Sequence, residues 1–141
     1  MLKQRKSEEG LAESGVFIIE DSEVMQRRYR YILEHNRIDI CGLAGSGREA
    51  VLKFPLVRPE VLILDHELPD GTGLHIIAAL KSYHPDVAII VISGSITAGM
   101  AQQYLAHGVR RLISKPINES QLVVMVRDLM MAVRAQASVA G

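Results

Sequence analysis

The chain has 141 residues, enough for one hydrophobic core and not two, and its 48% hydrophobic and 23% charged content excludes a chain that is disordered as a whole. Sixteen Lys plus Arg offset sixteen Asp plus Glu, so there is no net field to draw the chain to nucleic acid or to anionic lipid. No apolar run approaches the ~20 residues of a membrane helix, the N-terminus lacks the apolar stretch of a signal peptide, and the lone Cys41 cannot form an internal disulfide, which together point to a reducing, cytoplasmic setting.

Residues 1–14 are mostly polar, "KQRK" included, and are expected to form a solvated tail. "VFII" at 16–19 reads as a first strand, and "SEVMQRRYRYILEH" follows it with helical spacing that brings Val24, Arg28, Tyr31 and Ile32 near one stripe. "IDICGLA" at 38–44 is less uniformly apolar, as suits a strand at a sheet edge, with Cys41 a small buried thiol. "VLIL" at 61–64 is a third strand, which ends on Asp65; "LPDGTG" then makes the turn into the helical "LHIIAALKSYH". "VAIIVI" at 87–92 is a fourth strand, after which Thr97 is placed to cap the helix "AGMAQQYLAH" and Gly108 to end it. "LI" at 112–113 is a fifth strand. Asn118 and Gln121 have capping-box spacing at the start of the last helix, where Leu122, Val126, Leu129 and Val133 share a face and Arg127 and Asp128 turn away. Residues 136–141 are expected to be a short C-terminal tail.

Five β-α units of this length predict an α/β fold: a doubly wound, five-stranded parallel sheet with helices on both faces, joined by right-handed crossovers. In such sheets ligands bind outside the carboxyl ends of the strands. Those ends carry Glu20 and Asp21, then Asp65, then Ser93, then Lys115 before Pro116. Three carboxylates from two strands make a hard oxygen site of the kind Mg²⁺ prefers. With a lysine and a hydroxyl beside them, they are the groups needed to stabilise charge on a phosphoryl group passing in line to an oxygen nucleophile.

The acidic pair Glu20-Asp21, the "D-x-x-L-P-D-G-T-G" run from Asp65, the "S-G-S" at 93–95 and the "S-K-P" at 114–116 resemble the receiver domain of two-component response regulators. The resemblance covers residues 15–135 and implies a flavodoxin-like sheet of order 2-1-3-4-5. It implies Asp65 as phosphoacceptor for a sensor histidine kinase or a histidine phosphotransfer protein, with no enzymatic turnover beyond accepting and slowly losing the group. Mg²⁺ would be held by Glu20, Asp21, Asp65 and the backbone carbonyl of Glu67. Ser93 would bond the phosphoryl oxygen, Lys115 would pair with Asp65 and then with the phosphoryl group, and Lys115-Pro116 would be cis.

Several positions depart from the usual family pattern. Glu20 stands where aspartate is commoner and Ser93 where threonine is. Leu112 occupies the place of the aromatic residue that commonly rotates inward on activation, and the neighbouring Arg110 and Arg111 make a basic fourth-helix to fifth-strand face, fit for an acidic partner or a homodimer. None of the five histidines has metal-ligand spacing; His66 is expected to face solvent, with control of access to the phosphoryl site as the alternative. A phosphatase of the haloacid dehalogenase kind is the rival reading, but that family wants D-x-D after its first strand, and here "DHE" follows the third. A receiver fold that signals without phosphorylation is the other alternative.

Overall fold

The computed structural model describes residues 6, 7 and 9–140. Its main elements are β1 (Ser14–Ile19), α1 (Glu23–His35), β2 (Ile40–Ala44), α2 (Gly47–Lys53), β3 (Arg58–Asp65), α3 (Leu74–Tyr83), β6 (Ala88–Ser93), α4 (Ala98–Ala106), β7 (Arg111–Ser114) and α5 (Glu119–Ala140). A two-residue hairpin, β4 (Glu67–Leu68) with β5 (Gly71–Thr72), lies between β3 and α3. The sheet is all parallel in the order β2-β1-β3-β6-β7, which is 2-1-3-4-5 once the hairpin is set aside.

The continuous apolar strands are covered on both faces. Val61, Leu62, Ile63 and Leu64 of the central β3 are 0–1% exposed. Alternation sends Val61 and Ile63 to a core shared with α1 and α5, and Leu62 and Leu64 to a core shared with α2, α3 and α4. Burying each such side chain stabilises the fold by roughly 1.5–3 kcal/mol. On the second face Phe17 lies over Gly42 of β2, where an added Cβ would sit 2.3 Å from the ring, so this edge strand needs a glycine there.

Local capping sets where the helices begin. Ser22, Ser46 and Thr97 each accept the backbone N–H of the residue three positions on, and Asn118 Oδ1 accepts that of Gln121 at 2.9 Å, one half of a capping box. Gly108, at φ +83°, ends α4 as the sequence predicts. α2 has a second, distant cap: Asp70, in the turn of the β4-β5 hairpin, accepts the N–H groups of Gly47 and Arg48, each at 2.9 Å.

Three expectations are corrected. The stripe Val24-Arg28-Tyr31-Ile32 is not the buried face: only Ile32 of the four is buried, Val24, Arg28 and Tyr31 are exposed, and Ile32 joins Tyr29 and Leu33 in the core with Met25 beside them. The apolar series starts one residue later, and one residue turns a helix by about 100°. The segment before β1 is not a free tail throughout: Ala12 is buried, its N–H donates to Ile40 O at 2.8 Å, and Leu11 packs on the core. Most of "KQRK" lies outside the described residues; Lys6 pairs with Asp39 at 3.6 Å. At the other end, α5 continues through residues 136–140, where a tail is expected from the sequence.

Candidate functional site

β1 and β3 are neighbours in the sheet, so the residues at their carboxyl ends meet. The Glu20 N–H donates to Ala44 O at 2.9 Å, which extends the sheet by one residue and leaves the Glu20 side chain buried. Its Oε2 accepts the Ser22 N–H at 3.1 Å, just ahead of α1. Asp65, the last residue of β3, is 6% exposed, and its Oδ1 accepts the Glu67 N–H at 3.1 Å. Asp21 is exposed beside them, and one oxygen from each of Glu20, Asp21 and Asp65 lies within 4.8 Å of the others.

Lys115 comes from the far side of the sheet. Its N–H donates to Ser93 O at 2.8 Å, the peptide to Pro116 is cis, and its Nζ lies 3.3 Å from both Glu20 Oε1 and Asp65 Oδ2. One ammonium therefore bridges two buried carboxylates from two strands. Burial works against the charged lysine, but the Asp65 and Glu20 charges outweigh it and hold the ammonium above its ordinary pKa.

Glu20 moves the other way. Burial raises it to about 7, the Ser22 N–H opposes the rise, and the neighbouring Asp65 and Asp21 carboxylates add to it. The Lys115 ammonium at 3.3 Å acts against that rise as well. Three carboxylates with one lysine remain short of positive charge, and a proton on Glu20 relieves the deficit. A divalent cation relieves it better, and the donor set, all carboxylate oxygen, suits a hard ion such as Mg²⁺.

Ser93 is buried at the end of β6, and its hydroxyl is engaged within its own turn: it donates to Ser95 O at 3.0 Å and accepts the Ser95 N–H at 3.3 Å. Glu67 is exposed and enters the hairpin opposite Thr72. Arg110 and Arg111 are exposed at the start of β7, and Leu112 is half-buried against the core that β6 shares with α4.

His66 does not face solvent as expected. It is half-buried, and its Nδ1 lies 2.5 Å from the hydroxyl of Tyr104, a fully buried residue of α4 that the sequence reading does not single out. The signal available was Tyr104 four residues after Met100, an apolar pair at helical spacing. A cleft of about 440 Å³ between the N-terminal segment and β2 contains none of the site residues. Among the described residues, the acidic cluster suited to a metal is Glu20, Asp21 and Asp65.

Comparison with known proteins bears on the family and the fold. Residues 16–127 match the family described as response regulator receiver domain. The luminescence regulatory protein LuxO of Vibrio campbellii is 32% identical over 111 residues, 79% of this chain and 24% of that protein. The DNA-binding transcriptional activator DevR/DosR of Mycobacterium tuberculosis is 30% identical over 115 residues, 81% of this chain and 53% of that protein. The chain thus spans between a quarter and about half of the length of these relatives. Among solved structures, the signal receiver domain of a putative LuxO repressor protein from Vibrio parahaemolyticus superposes with a TM-score of 0.83 at 23% identity, covering 93% of this chain and 99% of that one.

Proposed function

Because the chain belongs to the response regulator receiver domain family of two-component systems, we propose that Asp65 is its phosphoacceptor and that the rim of the sheet is the phosphorylation site. The observation that carries this is the Lys115 ammonium held 3.3 Å from both Glu20 and Asp65 at the carboxyl ends of the strands.

A carboxylate oxygen of Asp65 attacks the phosphorus of a phosphohistidine on a sensor kinase or histidine phosphotransfer protein. The oxygen–phosphorus bond forms as the phosphorus–nitrogen bond breaks, and the departing imidazole keeps the electron pair and takes up a proton. The Glu67 N–H at Oδ1 fixes the carboxylate, and Lys115 at Oδ2 offsets its charge before transfer and that of the phosphoryl group after it. Glu20, Asp21, Asp65 and the Glu67 carbonyl would hold Mg²⁺, which when bound supplies positive charge to the phosphoryl oxygens. Ser93 gives up its bond to Ser95 O and donates to a phosphoryl oxygen. The domain acts as a signalling module in the cytoplasm, and its exposed Arg110-Arg111 face is assigned to an acidic partner or a second copy.

Incubation with Mg²⁺ and acetyl phosphate is expected to add one phosphoryl mass to the intact protein and none to Asp65→Asn. Absence of labelling under conditions that label a control receiver would count against this assignment and favour signalling through the unphosphorylated fold. Repeated release of phosphate from small phosphomonoesters would favour the phosphatase alternative.

A further inference from the structure

Between the paired Leu68 and Gly71 the β4-β5 hairpin turns in two residues, Pro69 and Asp70, and the ring of Pro69 fixes the backbone of the first. That leaves Asp70 exposed at the tip, where a carboxylate is ordinarily left to water. Here both of its oxygens are engaged: Oδ1 accepts the Gly47 N–H and Oδ2 the Arg48 N–H, each at 2.9 Å. The approach is close, since Gly47 is buried and a Cβ added to it would sit 3.0 Å from Ile76 Cγ2 and 3.4 Å from Asp70 Oδ1. α2 has a cap of its own in Ser46, which takes the Glu49 N–H at 3.1 Å, so the beginning of the helix does not depend on the hairpin alone.

The segment that holds Asp70 also holds the acid pair. The Glu20 N–H donates to Ala44 O at the end of β2, and three residues on, Gly47 and then Arg48 donate to the hairpin tip. From the tip the chain leads back to Glu67, whose N–H donates to Asp65 Oδ1 at 3.1 Å. A ring of bonds thus runs from the end of β1 through the end of β2 and the start of α2 to the hairpin and the end of β3. Glu20 and Asp65 stand on that ring, and Asp21 follows Glu20 directly. Without Asp70 the hairpin keeps the bonds at its base, Gly73 N–H to His66 O at 2.9 Å and Thr72 N–H to His75 Nδ1 at 3.3 Å, and loses its hold at the tip.

We propose that Asp70 is a positioning residue for the metal: it ties the backbone of Glu67 to that of Glu20 and so sets how tightly the rim holds Mg²⁺. The carboxylate acts through Glu67, whose carbonyl is assigned to the ion, and is not itself a ligand. Partners of this kind, one step removed from a metal ligand, are worth roughly ten- to a hundredfold in affinity. This rests on the assignment of the rim as the Mg²⁺ and phosphorylation site.

The test sets Asp70→Ala and Asp70→Asn beside Ser46→Ala, which removes the cap that α2 carries itself and leaves the hairpin tied. In the full chain without a phosphoryl donor, calorimetric titration is expected to give a Mg²⁺ dissociation constant about tenfold higher for Asp70→Ala. The rise should be smaller for Asp70→Asn, whose amide oxygen can still take one of the two N–H groups, and absent for Ser46→Ala. Amide exchange across residues 67–72 of the metal-free protein should quicken in Asp70→Ala and not in Ser46→Ala. Labelling of Asp65 by acetyl phosphate should slow in Asp70→Ala at low Mg²⁺ and regain the rate of the unmodified chain at saturating Mg²⁺. An unchanged dissociation constant or unchanged hairpin exchange in Asp70→Ala, an equal rise in Ser46→Ala, or a labelling rate that stays low at saturating Mg²⁺ would overturn the proposal. So would an unmodified chain that binds no Mg²⁺, which would remove the metal assignment with it. A chain that binds Mg²⁺ but leaves Asp65 unlabelled overturns the phosphoacceptor assignment alone, and the dissociation constants still decide the part played by Asp70.

Discussion

Glu20 is the residue whose protonation sets the charge of the rim. Its carboxyl is raised from an ordinary 4.5 to about 7, chiefly by burial, so the folded state binds its proton more tightly than the unfolded chain does. The stabilisation from that proton is complete below pH 4.5 and is lost as the pH rises to about 7. Without divalent cation the melting temperature is therefore expected to fall between pH 5 and pH 8, and Mg²⁺ to restore more of it at pH 8 than at pH 5. Calorimetry with and without Mg²⁺ at the two pH values checks this, and a Mg²⁺ effect equal at both would count against Glu20 as the group concerned. The acid pair and Lys115 were legible in the sequence because they stand at the ends of apolar runs, the pair straight after "VFII" and the lysine one residue past "LI", and a parallel sheet brings such ends to one rim. The contact between His66 and Tyr104 was not, because it joins residues 38 apart through a side-chain meeting that no local period encodes.

At the scale of elements, the strands were the most legible part, since burial on both faces writes itself as unbroken apolar runs. The buried face of α1 was less so: Tyr29 and Tyr31 are the same residue type two positions apart, and the first is buried while the second stacks on His35 at the surface. The turn "LPDGTG" does more than turn. Asp70 crosses 23 positions to cap α2 at Gly47, and the bonds from Gly47 and Arg48 hold its carboxyl below the ordinary carboxylate range. The linkage has the opposite sign to that of Glu20: its stabilisation is present above the ordinary pKa of 3.8 and is lost as the pH falls through its lower folded value. Asp70→Ala is expected to lower the melting temperature at neutral pH, with the gap to the unmodified protein closing in acid. A gap that stayed constant down to strongly acidic pH would show that the carboxylate is not the cause.

Over the whole molecule the net charge is zero, so attraction to a partner has to come from local patches. Arg110 and Arg111 form one, at the outer edge of β7. Replacing both with glutamate is expected to weaken self-association or binding of an acidic partner without altering Asp65 labelling, as sedimentation and intact-mass measurements would show. Unchanged association and binding would remove this face from the assignment. The opposite edge of the sheet is managed by different means. The Ala12 N–H takes the Ile40 carbonyl of β2, so the stretch before β1 shields part of a strand that would otherwise offer its backbone to another chain. A chain shortened to begin at Ser14 would keep the carboxylates and Lys115 at the rim and lose that shield, so trimming the residues ahead of β1 would trade a tidier sequence for an aggregation-prone border.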